Sequence, residues 1–250
     1  MPDAALPRGF ATTRTALQRV AVHVLARRRH ALVGRLGLRS TPGGFGTPDA
    51  GPDHQHEVLR VTGTWLLRER VGDTAATVGL DLATATLADA AALAEVDLGA
   101  EFSAGHDTPE VGDPHAALGV DPAAAAVLAD WYAFGWRVID AAVTVASAND
   151  PGATPSILQL WPEHFDAGCD LAIGGGRVNL GASPGDGFHE EPYLYVGPWG
   201  PERPGDPAYW NAPFGAVLGW SELQKSKAPP AGAFDFVHDG LVHLASDHTG

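Results

Sequence analysis

The sequence predicts an α+β fold in which mainly antiparallel sheets are packed by long amphipathic helices. Residues 13–29 and 121–148 repeat apolar side chains at three- and four-residue spacing, the pattern of a helix with one buried face. Alternating apolar and polar runs lie in groups between these helices, at 58–84 and 157–199. Strands that occur in groups favour α+β over a parallel α/β sheet.

The first helix is expected to end at three consecutive arginines, 27–29, whose positive charge suits a helix C-terminus. His23 lies off its apolar stripe and is predicted to face solvent. Residues 31–40 alternate and predict a strand that leads into a Gly- and Pro-rich loop at 41–48.

Two further strands are predicted at 58–68 and 74–84. Thr86 is a good N-cap for a short helix at 87–95, because its hydroxyl can accept a free backbone N–H. Residues 97–120 are rich in Gly, Asp and Pro and have little periodicity. They predict an irregular connection.

A second long helix begins at Asp121-Pro122, an N-cap acceptor followed by a proline whose missing N–H costs nothing there. Its apolar stripe continues to about Ala148, and a Pro-Gly turn follows. Two more helices are predicted near the C-terminus, at 210–223 and 231–244.

The order of these elements indicates one compact domain, residues 1–250. A helix followed by strands occurs twice, which suggests an internally duplicated helix-plus-sheet unit with pseudo-halves 10–98 and 120–246. No residue-level repeat accompanies this order.

The charge balance disfavours nucleic acid as a partner. With 30 Asp and Glu against 16 Lys and Arg, the formal net charge of −14 repels phosphate backbones. No uncharged apolar run reaches the roughly 18 residues that a membrane span needs. The N-terminus lacks the basic-then-apolar order of a secretion signal, and a cytoplasmic protein is predicted. Cys169 is the only cysteine, which excludes an intrachain disulfide.

Most of the functional side-chain chemistry falls within 157–199. A strand over 157–173, closed by a hairpin at 174–177, would place Asn179 opposite Ala172. One face is then apolar and includes Cys169, while the other face is polar. The polar face carries His164, Asp166, Asp170, Asn179 and Ser183.

A strand over 189–199 adds further polar side chains on one side. If that side adjoins the polar face, two imidazoles and two carboxylates converge. The predicted metal ligands are His164, Asp166, His189 and Glu191. This set suits zinc, iron or manganese with an open position for water. Glu163 or Glu190 would then act as general base, and metal-assisted hydrolysis is the first functional hypothesis.

Other interpretations of the same stretch stay open. Without a metal, the imidazoles and carboxylates would form an acid/base pair serving an isomerase or a lyase. The predicted ligand-contacting residues are Trp161, Asn179, Tyr193, Tyr195 and Trp199. These rings suit a pocket for a small organic molecule, so the main alternative is a non-catalytic small-molecule binding protein. An interaction module, with the polar face merely solvated, is the third hypothesis.

Four longer motifs occur in the chain. They are Thr-Pro-Gly-Gly-Phe-Gly-Thr-Pro at 41–48, Leu-Trp-Pro-Glu-His-Phe-Asp at 160–166, Gly-Ala-Ser-Pro-Gly-Asp at 181–186 and Glu-Pro-Tyr-Leu-Tyr-Val-Gly-Pro-Trp at 191–199. Together they resemble a family of uncharacterised actinobacterial proteins. The resemblance covers most of the chain and implies a cytoplasmic bacterial protein, with no assigned activity. Leu180 stands where the family has tyrosine, which disfavours a ligand role at that position.

Overall fold

The computed structural model describes residues 5–51, 56–71 and 75–246. Contacts divide the chain into two compact units. The N-terminal unit comprises Pro2–Ala133 and Leu160–Phe165, and the C-terminal unit comprises Phe134–Gln159 and Asp166–Gly250. Helices occur together with antiparallel sheets, so the predicted α+β class is confirmed. The internal duplication stays a prediction.

The helix predicted over 13–29 is confirmed as one continuous helical rod. It consists of α1 (Phe10–Val20), a π-helical segment (Ala21–Ala26) and α2 (Arg27–Val33). The rod passes the arginines and ends where Gly34 donates its N–H to the His30 carbonyl oxygen at 2.8 Å. The strand expected over 31–40 is therefore wrong in its first part, because helix occupies those positions.

The sheet of the N-terminal unit is an antiparallel meander of five strands in sequence order. The strands are β1 (Arg39–Thr41), β2 (Gly44–Gly46), β3 (His56–Thr62), β4 (Trp65–Val71) and β5 (Ala76–Asp81). The single strand predicted over 58–68 is wrong: Thr62 pairs with Trp65, and the chain reverses between them. The alternation continues through this tight turn, so Gly63 was the only signal of a break.

The short helix predicted after Thr86 is confirmed as α3 (Leu87–Leu93). Asp89 donates its N–H to the Thr86 hydroxyl at 3.1 Å, and the Asp89 carboxylate accepts the Thr86 N–H at 2.9 Å. This is a capping box, which satisfies two backbone donors at the helix start. Residues 97–120 contain neither a helix nor an extended strand, as predicted.

The irregular segment 97–120 is fixed by three side chains, four residues apart, on the helical rod. Arg19 donates to the carbonyl of Val111 at 3.0 Å, His23 to that of Pro109 at 2.8 Å, and Arg27 to that of Ala100. His23 is only 3% exposed, so its predicted solvent-facing position is wrong. An off-stripe histidine is buried here because the irregular segment covers it.

Acidification is expected to destabilise the protein through His23. Burial lowers the pKa of His23 below its usual 6.5. The hydrogen bond to the Pro109 carbonyl and the charge of Glu110 oppose this shift, whereas the positive charges of Arg27 and Arg19 add to it. The Nδ1 atom of His23 is buried without a hydrogen-bond partner among the described residues. As pH falls below about 6.5, the unfolded chain binds a proton that the folded chain resists, so stability drops by up to about 1.4 kcal/mol per pH unit.

Urea unfolding of the parent and of His23→Gln, at pH 7.5 and 5.5, measures this effect. The variant should lose less stability than the parent on acidification, because glutamine does not titrate. Equal losses in the two proteins would contradict the prediction.

The C-terminal unit holds the second antiparallel sheet, in the order β11-β10-β9-β8-β6. Its elements, with two that begin or end outside it, are α4 (Pro122–Asn149), β6 (Thr154–Pro155), β7 (Gln159–Trp161), β8 (Asp166–Ile173), β9 (Gly176–Ser183), β10 (Tyr193–Pro198), β11 (Ala216–Gly219), α5 (Trp220–Lys225) and α6 (Pro229–Ser246). The predicted helices over 121–148 and 231–244 are confirmed as α4 and α6. Helix α6 packs on β8, β10 and β11.

The helix predicted over 210–223 is wrong. Residues 216–219 form an edge strand, and only Trp220–Lys225 is helical. The Asn211 side chain donates to the Val217 carbonyl at 3.0 Å and accepts the Val217 N–H at 2.8 Å, which holds that residue extended. The Asn211 side chain thus takes the backbone groups of Val217 that a helix would use, and the spacing of apolar residues does not reveal this.

The strand predicted over 157–173 is interrupted at 162–165, so its second part begins only at Asp166. The hairpin then closes over Gly174 and Gly175, with φ of 55° and 72°, instead of over four residues. Consecutive positive φ values give the tight turn that two-residue hairpins prefer. Asn179 therefore pairs with Asp170 instead of Ala172. The slip is two residues, so the predicted faces keep their sides.

Candidate functional site

The predicted residues Glu163 and His164 lie on the loop before β8, in the N-terminal unit. His164 Nδ1 is 3.2 Å from Asp107 Oδ2, and His106 Nε2 is 3.1 Å from the same oxygen. The Glu163 carbonyl accepts a hydrogen bond from Gln18 at 2.7 Å, which anchors the loop to α1. Glu163 Oε2 is buried and has no hydrogen-bond partner among the described residues. His164 is thus oriented by a carboxylate that the sequence did not single out.

Asp166 is buried beneath Tyr195, whose hydroxyl donates to Asp166 Oδ2. The Tyr195 ring reaches that carboxylate by crossing two glycines, since a Cβ on Gly181 would overlap the ring and one on Gly168 would lie 3.2 Å from the hydroxyl oxygen. Burial, followed by the negative charge of Asp166, raises the pKa of Tyr195 well above its usual 10. Asp166, from the predicted polar face, therefore does adjoin a side chain of the strand predicted over 189–199.

His189 and Glu191 do not lie on a strand, because β10 begins only at Tyr193. Asp186 organises the preceding loop: its carboxylate accepts the His189 N–H at 3.0 Å and the Tyr193 hydroxyl at 2.7 Å. Glu191 accepts the Ser221 hydroxyl at 2.6 Å, at the start of α5. The predicted strand start at His189 is wrong because these loop contacts replace strand pairing.

The predicted metal and catalytic residues thus occupy several different environments. Glu190 is exposed on the same loop as His189. In the part of the chain that the structure describes, no group of three His, Cys, Asp or Glu side chains is placed to hold a metal ion. The divalent metal stays a prediction.

Two of the predicted ligand-contacting residues do come together. Trp199 Nε1 donates to Asn179 Oδ1 at 2.9 Å, and the Arg177 guanidinium lies over the indole at 5.1 Å from its centre. Arg177 is itself held by an ion pair with Asp170. Trp199 is nevertheless 65% exposed. A large aromatic side chain is therefore fixed in place and still turned to solvent.

Trp199 borders a cavity of about 940 Å³ beside the hairpin turn 174–176. The cavity is lined by this hairpin, including Arg177, and by residues at the ends of two helices, which include Asn149, Asp150 and Ala245. A smaller cavity of about 330 Å³ adjoins the same turn, next to Glu202 and Leu244. The turn lies so close to α6 that a Cβ on Gly174 would overlap the Leu244 carbonyl oxygen.

The other predicted ligand contacts lie elsewhere. Tyr193 is buried, and its hydroxyl donates a hydrogen bond to Asp186. Burial and that carboxylate both raise the pKa of Tyr193. Trp161 belongs to the N-terminal unit, and Tyr195 covers Asp166. Sequence reasoning missed Asn149 and Asp150, and the run of three glycines was the available signal for a close approach at the cavity.

Comparison with protein-family models, curated proteins and solved structures finds no match to this chain. Among the described helices, none is long and apolar enough to cross a bilayer.

Proposed function

We propose that this protein binds a small organic molecule in the cavity beside the glycine turn, with Trp199 as the main contact surface. The observation that carries the proposal is a solvent-exposed indole, held by Asn179 and Arg177, at the edge of a cavity of about 940 Å³. Ligand sites in proteins are concave, of roughly 300–1,000 Å³, and combine apolar surface with a few placed polar groups.

The fixed geometry of Trp199 favours binding. A side chain that is already held in one orientation loses little conformational entropy when a ligand arrives. Here the indole N–H is held by an amide, one side of the ring faces a guanidinium, and the Trp199 backbone N–H donates to the Arg177 carbonyl at 2.9 Å. An aromatic ring offers a large contact area at this low entropic cost.

Replacement of Trp199 by alanine is expected to weaken ligand binding at least about tenfold, since buried aromatic contacts carry much of the affinity of a site. The measurement is ligand-observed NMR of a library of small ring compounds with neutral, cationic and anionic members. Trp65→Ala is the matched control, because Trp65 is also exposed but lies on β4 in the other unit. Compounds that bind the two variants equally well would contradict the proposal.

A second candidate function is acid/base chemistry at His164. The supporting observation is the 3.2 Å contact of His164 Nδ1 with Asp107. A carboxylate on one ring nitrogen favours the tautomer in which the other nitrogen accepts a proton, as a general base requires. Metal-assisted hydrolysis with His189, Asp166 and Glu191 remains the sequence-based form of this hypothesis.

The test is hydrolysis of a series of nitrophenyl esters, with and without added zinc, together with elemental analysis of untagged protein. If the second candidate is right, His164→Ala should lower the rate by about 10²-fold or more. His56→Ala is the control, because His56 forms a similar exposed pair with Asp49, at 2.6 Å. Equal rates in both variants would rule out a catalytic role for His164, and metal absent after supplementation would rule out the metal form.

A further inference from the structure

The hydrogen-bonding character of the Trp199 cavity indicates which chemical class the site takes, an inference that rests on the proposed function. Helices α4 and α6 both end at this cavity, and Asn149 and Ala245 belong to their last turns. The last four carbonyls of a helix have no partner within the helix. A ligand that meets two such ends needs hydrogen-bond donors.

The charges around the cavity disfavour an anion. Helix C-termini carry partial negative charge, and Asp150 adds a carboxylate to the cavity. Glu202 adds another in the smaller cavity that adjoins the same turn. Arg177 is the basic side chain among those that line the cavity, and its charge is already matched by Asp170. The chain as a whole, at −14, adds to the repulsion. A ligand that carries a phosphate or carboxylate group is therefore disfavoured in this cavity.

The indole disfavours a cation for a different reason. Aromatic rings attract cations through the negative potential of the ring face. On Trp199, that potential is already used by the Arg177 guanidinium at 5.1 Å. A ligand cation would have to compete with this guanidinium for the same ring. What remains is a neutral molecule with an apolar ring face and several hydroxyl donors.

We infer that the ligand is a neutral saccharide. One face of the sugar ring would lie on the Trp199 indole, and its hydroxyl groups would donate to the carbonyls at the ends of α4 and α6 and to the side chains of Asn149 and Asp150. The Asp150 carboxylate already accepts the Gly152 N–H at 2.8 Å, so it is held in place for a further donor. The backbone of the glycine turn completes the polar side of the site.

The test is isothermal titration of the full chain with neutral mono-, di- and trisaccharides, followed by probes that share the glucose ring and carry a neutral, anionic or cationic substituent. Glucose, glucose 6-phosphate and protonated glucosamine share one ring and carry neutral, negative and positive charge. We expect a neutral sugar to bind, its phosphorylated form to bind at least about tenfold more weakly, and Trp199→Ala to lose the binding. Asn149→Ala should weaken the neutral sugar by a smaller factor, because it removes one polar contact.

The outcomes separate the two proposals. If a quaternary ammonium such as choline, or an anion, binds in a Trp199-dependent manner and no neutral sugar does, the saccharide is overturned while small-molecule binding stands. Sugar binding that Trp199→Ala leaves unchanged also overturns the inference. If no sugar and no library compound depends on Trp199, both proposals fail. A circular dichroism spectrum of each variant, matched to that of the parent, confirms that the fold is kept.

Discussion

Replacement of Glu57 by alanine is expected to lower the free energy of unfolding by about 3–5 kcal/mol, the cost of breaking a buried ion pair by removing one partner. Glu57, on β3, is 7% exposed and accepts hydrogen bonds from three guanidiniums. The donors are Arg28 at 2.8 Å, Arg68 at 2.8 Å and Arg70 at 3.0 Å. Without Glu57, Arg68 would stay buried, with Glu95 as its remaining carboxylate partner.

The lowered pKa values of Glu57 and Glu95 indicate that this cluster stabilises the fold. Burial alone would raise the pKa of Glu57, but the hydrogen bonds from Arg28, Arg68 and Arg70 outweigh burial and hold that pKa below its usual 4.5. Arg68 and Arg70 lower the pKa of Glu95 to about 2. Both carboxylates therefore stabilise the fold at neutral pH, and this contribution is lost only as pH falls below about 4.5.

The control is Glu69→Ala, since Glu69 pairs with Arg60 at 3.0 Å on the solvent side of the same sheet. An exposed pair of this kind contributes at most about 1 kcal/mol. Urea unfolding followed by circular dichroism gives both values. If Glu57→Ala cost no more than Glu69→Ala, the cluster would be a surface network and the prediction would be wrong.

The helices were predictable because apolar spacing is a local property. The 3.6-residue period identified the rod that begins near Phe10 and the long helix α4, and the capping residues Thr86 and Asp121 marked two helix starts. The hairpin faces were also predictable, because a pairing slip of two residues leaves the alternation intact. The length of the hairpin loop was mispredicted because turn geometry sets it: positive φ values at Gly174 and Gly175 close the loop with two residues.

The candidate site was predictable only in part. Trp199 meets Asn179 because β9 and β10 pair; alternation had predicted both strands but not that they are neighbours. Asn149 and Asp107 carried no comparable signal, since one ends a helix and the other lies in a segment without periodicity. Each comes to its place through long-range packing that a local pattern does not encode. His23 was misjudged for the same reason, because its cover is an irregular segment distant in sequence.

Replacement of Phe165 by alanine is expected to cost about 3–5 kcal/mol, the usual range for removing a buried phenyl ring. Phe165 is 1% exposed and packs edge-to-face on Phe45 and Tyr132, with ring centres 5.2 and 5.6 Å away. Its carbonyl oxygen also accepts the Tyr132 hydroxyl at 2.6 Å. Because the three rings pack closely on one another, removing one of them leaves a cavity that the neighbouring side chains cannot fill.

The backbone at Phe165 sharpens the test. Its φ of 57° is left-handed, a conformation that costs a non-glycine residue about 1–2 kcal/mol and that persists only when packing over-determines it. Phe165→Gly loses the same ring but removes this strain, so it should cost no more than Phe165→Ala even though glycine is the more flexible residue. Tyr132→Phe, which deletes only one hydroxyl, should cost about 1 kcal/mol. A glycine variant much less stable than the alanine variant would show that the left-handed backbone carries no strain. The outcome bears on function as well, because this anchored residue ends the loop that presents Glu163 and His164.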